Sequence, residues 1–435
     1  MAAVLAVTLG THTWWDDRCP GRRGGVIMEA MTLQVPRLRM ETNSRDAVVT
    51  PLELYFDLVF VFALTQVTAF MADELSGRGV VRGLLVLALL WWSWTGYAWL
   101  CNVVRVDVGA IRLVLLVAMA AMFILALSIP EAFDDLPGGL EGPVVIALCY
   151  FVFRLMHLVL FWIIARDDPG LRRQLLRFAP SMLAGTGLLL VASQFTGTVQ
   201  TLLWAAALVA DYLGTLLAGA GGWRLRSAGH FAERHGMIVI VALGESIVAI
   251  GVGVAQLPIS WPIVVASCLG LTVAAAQWWT YFDMSALHGE QALAAEPEAT
   301  RPRLARDAYS FLHVPLIAGI VLTALGMKKV LEYVGDGEHH QLSEPLTGIG
   351  LLALYGGVVV YLLGHIAFKW RTGHQVLLVR VLTAAVVAVL VPAAARLPAL
   401  AALGLLAAVL VAMVTFESVH YAEHRRELRS QAHHR

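Results

Sequence analysis

Glu53 and Asp57 stand four residues apart in the apolar run PLELYFDLVFVFALTQVTAF, residues 51–70. At 3.6 residues per turn they share one face of a helix, about one turn from its start. Positions 64 and 68 continue that face, so Thr68 extends the polar stripe and Gln66 lies opposite. A carboxylate inside a bilayer costs about 2.5–3.5 kcal/mol on insertion scales, and such groups face a partner or a water-filled path. The chemistry open to the pair is proton exchange or the holding of a cation. The plainer alternative is that both acids pair with arginines near the membrane surface.

Other charged residues fall inside apolar stretches. Glu245 and Ser246 lie in ALGESIV (242–248). With a span starting at 236, Glu245 is ten residues in and near the midplane, where its short stem cannot reach water. It must be protonated, pair with a cation or line an aqueous cavity. Gly244 beside it permits close approach by another helix. Arg154 sits near the middle of an earlier span, with Tyr150 one turn before it and His157 three residues after. Glu245 or Asp211 is its expected counter-charge, and a midplane Glu245–Arg154 pair is the arrangement to test by charge removal. Glu233 and Arg234 mark the entry to the Glu245 span, too far along the axis from Glu245, at about 16 Å, for Arg234 to pair with it. His313 and His365 read as satisfied core histidines. Arg380, Glu417 and His420 read as interfacial, and Trp91, Trp92, Trp94, Trp99, Trp278 and Trp279 as aromatic belts.

The elements that must position these groups are membrane spans. Hydrophobic residues make up 59% of the 435 and charged residues 14%, against roughly 45–50% and 25% in soluble domains. Twelve stretches reach the length of about 20 residues that a span needs. They are 52–71, 80–101, 110–129, 143–165, 178–195, 200–219, 236–255, 259–283, 308–327, 347–369, 376–394 and 397–419. The expected fold is therefore all-α, a polytopic transmembrane helix bundle of about twelve spans. Residues 1–50 read as a largely disordered cytoplasmic tail, 51–419 as the transmembrane domain and 420–435 as a cytoplasmic C-terminal tail. The longest connection between spans, 284–307, reads as a loop.

Orientation follows the excess of Lys and Arg in cytoplasmic loops. With the N-terminus inside, the cytoplasmic segments carry 24 of these residues. The outer segments, taken with the span ends beside them, carry only Arg78, Arg82, Lys328, Lys329 and Arg396, while Arg154 and Arg380 are counted within spans. Both termini are thus expected in the cytoplasm and the acidic loop 130–142 outside. Laying 53–70 over 233–250 puts Glu53 on Glu233 and Thr65–Gln66 on Glu245–Ser246. This suggests a 6+6 repeat with halves of about 51–220 and 233–419, a plan used by transporters. The four cysteines, Cys19, Cys101, Cys149 and Cys268, have no metal-ligand spacing and read as packing residues.

Two stretches resemble a known family. PLELYFDLVFVFALTQ (51–66) is similar to the signature P-x-E-L-F-F-D-L-V-F-V of the bacterial low-temperature-requirement A proteins. ERHGMIVIVALGESIVAIG (233–251) is similar to that family's second run, E-R-x-x-L-x-x-I-x-L-G-E-S. The resemblance implies a multi-pass bacterial membrane protein of unsettled biochemical activity, named for a growth phenotype in the cold. By motif match it marks Glu53, Asp57, Glu233, Arg234, Glu245 and Ser246. Phe56-Asp57-x-x-Phe60 is also similar to a first-helix Phe-Ser-Asp motif of two-repeat potassium channels, but the Ser is missing and Met237 stands where a second Asp would be.

Three functions fit: a secondary transporter of a small solute or ion, an ion channel, or a non-transport envelope factor. Phosphate-binding loops, dinucleotide fingerprints, zinc pairs and nucleophile elbows are missing from the sequence, so neither an enzyme nor a cofactor or metal site is expected. Zero net charge gives no attraction to nucleic acid. The expected partners are the lipid bilayer and the unidentified solute; a homo-oligomer is compatible with the sequence.

Overall fold

The computed structural model describes residue 44 and residues 47–422 apart from 108, 256 and 338. The N-terminal tail up to 43, with Cys19, and the C-terminal tail from 423 lie outside the described residues.

The chain enters its first helix through a capping box. The Thr50 hydroxyl accepts from the Glu53 backbone N–H at 3.4 Å, and Glu53 Oε2 accepts from the Thr50 N–H at 2.8 Å. Pro51 supplies a first position that needs no donor. The helices that follow are α1 (Pro51–Asp73), α2 (Gly77–Val103), α3 (Gly109–Leu127), α4 (Gly142–Ile164), α5 (Pro169–Ala192), α6 (Gly197–Ala218) and α7 (Ala228–Val254). Next come α8 (Trp261–Phe282), α9 (Ser285–Ala295), α10 (Arg301–Leu304), α11 (His313–Gly335), α12 (Gly348–Gly373), α13 (Leu378–Ala394) and α14 (Ala399–His420). Ten helical segments are long and apolar enough to cross a membrane, and Ile111–Leu127 and Leu378–Ala394 are shorter apolar helices. Together they account for the twelve expected spans. Among the described residues no strand forms beyond an isolated Pro345–Pro398 bridge.

Three expectations are corrected. The connection 284–307 is not a loop: α9 and α10 occupy it, and a π-helical turn, Ala305–Phe311, leads into α11. Its polar, Ala-rich sequence hides a helix from a hydropathy reading without lowering helix propensity. Helix α7 starts eight residues before 236, where Ser227 Oγ accepts from the His230 N–H at 3.2 Å. The α2 tryptophans form no belt. Trp91, Trp92, Trp94 and Trp99 are all buried, whereas Trp278 and Trp279 are exposed.

Each half repeats one neighbour scheme. In the first, α1 packs on α2 and α3, α3 on α4, α4 on α5, α5 on α6, and α2 on α6. In the second, α7 packs on α8 and α11, α11 on α12, α12 on α13, α13 on α14, and α8 on α14. The halves meet along α1 and α7, which run parallel. Within the second half α11 and α12 approach most closely. A Cβ at Gly326 would lie 2.5 Å from Leu354 Cα, and one at Gly357 2.5 Å from the Thr323 nitrogen. Such small-residue seams let backbones touch where lipid offers no hydrophobic drive.

Candidate functional site

The α1–α7 seam carries the first cluster. Glu53 and Asp57 are 1% and 2% exposed, on the inward face of α1. Glu53 uses Oε2 to cap its own helix, which leaves Oε1 for α7. There His230 Nε2 stands 3.0 Å away and Arg234 Nη1 3.5 Å away. Arg234 Nη2 donates to Asp57 Oδ1 at 3.0 Å, and Trp94 Nε1 donates to the same oxygen at 2.8 Å. The guanidinium also lies over the Trp94 ring, 5.7 Å from its centre, a favourable place for a cation. His230 is oriented from α2. Asn102 Nδ2 donates to the Ser227 carbonyl at 2.6 Å and approaches His230 Nδ1 at 3.4 Å, which leaves Nε2–H to face Glu53.

Two carboxylates thus share one guanidinium, and a proton on His230 would balance the second. Such a network can bind a proton or a cation, or change partners when it does. Asp57 Oδ2, Arg234 Nε and Arg234 Nη1 are buried with no hydrogen-bond partner among the described residues. Those are the atoms with bonding capacity to spare. On the side where α7 begins, a vestibule of about 1200 Å³ opens, lined by Asp168, Arg224, Arg226, His230, Glu233 and Arg301 among others. His230 therefore belongs both to the vestibule wall and to the buried network. Glu233 stays in the vestibule, exposed, and accepts from the Val49 N–H at 3.4 Å. The positions that the 6+6 overlay equates, Glu53 and Glu233, have opposite surroundings.

The second cluster corrects the midplane pair. Arg154 does not meet Glu245. Its Nη2 donates to Asp211 at 3.0 and 3.3 Å, and the Tyr150 hydroxyl donates to Asp211 Oδ2 at 2.6 Å. The physical reason is placement. Arg154 on α4 and Asp211 on α6 both face inward in the first half, whereas Glu245 on α7 faces α1. His157 donates through Nε2 to the Gly96 carbonyl at 2.9 Å.

Glu245 is 1% exposed and accepts from the Thr65 hydroxyl at 2.6 Å. Because α7 runs from Ala228 to Val254, Glu245 lies just past the midpoint of its helix. Ser246 is fully buried beside it, its Oγ without a partner among the described residues.

Arg380 lies near the start of α13 and Glu417 near the end of α14. Both are buried in a two-bonded pair at 2.7 and 2.9 Å, and Arg380 Nη1 lies 2.6 Å from His365 Nδ1. His313 donates through Nδ1 to the Ala308 carbonyl at 3.1 Å and accepts from the Tyr281 hydroxyl at 2.9 Å. Among the described residues no three His, Cys, Asp or Glu side chains are placed to hold a metal ion. Sequence reasoning passed over His230, Trp94 and Thr65. His230 was within reach, since it lies one turn before Arg234 on the same face.

Comparison with known proteins gives the following. The family model described as bacterial low temperature requirement A protein (LtrA) matches residues 48–415. An uncharacterized protein of Rhizobium meliloti (strain 1021) is 28% identical over 358 residues, covering 78% of this chain and 81% of its own length. No solved structure matches.

Proposed function

This chain belongs to the bacterial low temperature requirement A family of multi-pass membrane proteins, and from that premise we propose that it is a secondary transporter of a small solute or ion. One observation carries the reading: two buried carboxylates share one guanidinium on the α1–α7 seam, and His230 joins that network to the vestibule. A purely structural ion pair needs no second acid and no wall open to an aqueous space. In this reading the vestibule faces the cytoplasm, both termini lie there, and the acidic loop 130–142 is external in the cell membrane. The halves shift along the α1–α7 seam when solute or ion charge arrives. The chain works as a transporter and not as an enzyme.

Purified protein in liposomes tests this. Saturable uptake and counter-exchange of a labelled solute support it. Flux that rises linearly with the gradient, with single-channel currents, would make the chain a channel. Absence of flux across a broad panel of ions, amines and organic acids would refute both.

A further inference from the structure

A second cavity, of about 40 Å³, lies wholly apart from Glu53 and Asp57, between α2, α4 and the π-helical turn. Trp92, Thr95, Arg154, His157, Arg306 and Ser310 line it. Four of these residues keep a buried polar atom with no hydrogen-bond partner among the described residues: Trp92 Nε1, Thr95 Oγ1, Arg154 Nε and His157 Nδ1. Indole N–H and guanidinium Nε–H can only donate. The hydroxyl can donate or accept. His157 Nδ1 donates when the ring is protonated and accepts when it is neutral. A buried donor left unmet costs about 1–3 kcal/mol, so unmet donors on residues that line one cavity call for an acceptor there.

The charge around the cavity has one sign. Arg154 and Arg306 line it, and among the described residues no carboxylate does. Their counter-charges lie off the cavity and are already shared. Asp211 is held by Arg154 and Tyr150. Asp307 serves Arg306 at 2.7 Å and Arg371 at 3.0 Å, with Arg303 at 3.9 Å. Four guanidiniums therefore face two carboxylates in this quarter of the bundle. A second space lies beside it. A cleft of about 390 Å³ is lined by Arg303 and Arg306 and again by no described carboxylate. It shares Arg306 with the cavity and Gly221 with the vestibule. A low-dielectric passage lined by one sign of charge concentrates the opposite ion.

We propose that this cavity is a binding site for one small monovalent anion of the halide or nitrate class. At about 10–15 Å³ for each water-sized occupant, its volume admits a few heavy atoms and no larger organic acid. The π-helical turn is part of the site: Trp91 Nε1 donates to the Ser310 carbonyl at 2.7 Å and Trp99 Nε1 to Ser310 Oγ at 3.0 Å. Those two indoles are spent on holding Arg306 and Ser310 in place, while Trp92 keeps its donor for the ligand. The assignment concerns binding and stands apart from the transport reading.

The test uses the full chain in detergent. Its melting midpoint is followed against bromide, nitrate and gluconate at constant ionic strength. Bromide and nitrate should raise the midpoint in a saturable way and gluconate should not. Thr95→Val removes a polar atom at nearly constant shape and Trp92→Phe removes the indole N–H with part of the ring system; each should weaken the apparent affinity about tenfold, the scale of one hydrogen bond to a charged group. Trp279→Phe, at an exposed indole, should leave it unchanged. Should a cavity variant fail to fold, anomalous scattering from wild-type crystals soaked in bromide decides, with a peak expected within hydrogen-bond reach of Trp92 Nε1 and Arg154 Nε. Equal midpoints in bromide and gluconate, an affinity that survives both cavity substitutions, or a cavity holding only water would overturn the site. Anion binding without solute flux in liposomes would uphold the site and count against the transport reading.

Discussion

Removing charge from the Arg154–Asp211 pair gives the sharpest stability prediction. Both side chains are 1% exposed, and the nearest N···O distance is 3.0 Å. At an effective dielectric constant of about 20, two unit charges at that separation attract by roughly 5 kcal/mol. Removing one partner of a buried pair costs about 3–5 kcal/mol, because the other charge is left uncompensated, while removing both can be nearly neutral. Asp211→Asn keeps an acceptor for the Tyr150 hydroxyl but sets an NH2 in place of Oδ1, against Arg154 Nη2. Arg154→Gln leaves Asp211 with Tyr150 alone. Each single variant should therefore lose about 3–5 kcal/mol, and the double variant should lose about 3 kcal/mol less than the sum of the two. The assay is equilibrium unfolding in mixed micelles for all four proteins. Losses that add to within about 0.5 kcal/mol would show the two groups uncoupled and refute the reasoning.

Further outcomes follow from the same geometry. Glu245→Gln combined with Arg154→Gln should be additive in that assay, since Glu245 bonds to Thr65 and not to Arg154. On the α11–α12 seam Gly357→Ala should reduce the yield of monodisperse protein severalfold, because the new Cβ meets the Thr323 backbone at 2.5 Å; Gly356→Ala, with nothing within 4 Å of its added Cβ, should not. Reporter fusions at Asp135 and at the C-terminus should report opposite sides of the membrane, and the same side for both would sink the proposed orientation.

Spans were legible because the bilayer imposes one requirement, a run of about 20 apolar residues, that composition meets or fails by itself. The same rule misplaced the start of α7. His230, Arg234 and His235 look like loop residues to a hydropathy scale, yet all are buried, and two of them face carboxylates. The inward facing of Glu53 and Asp57 was also legible, since four-residue spacing fixes a shared face and the cost of lipid exposure fixes its direction. Choosing Asp211 over Glu245 for Arg154 was not. Depth along a helix can be read from residue number, but which helices become neighbours, and at what rotation, depends on tertiary packing. Trp94 stayed hidden for the same reason: its N–H reaches Asp57 only because α2 packs against α1 with that edge inward.

Glu53→Gln tests the central claim most directly. The amide can still cap α1, because a capping box accepts Gln as well as Glu. Its NH2 then stands where Oε1 faced His230, so the charge and the acceptor on that side are lost together. Solute uptake by wild-type and Glu53→Gln protein should be measured at matched reconstituted amounts. The account predicts a folded, monodisperse variant, with saturable uptake in the wild type and little or none in the variant. Full uptake by well-folded Glu53→Gln would contradict it and place the working site elsewhere in the bundle.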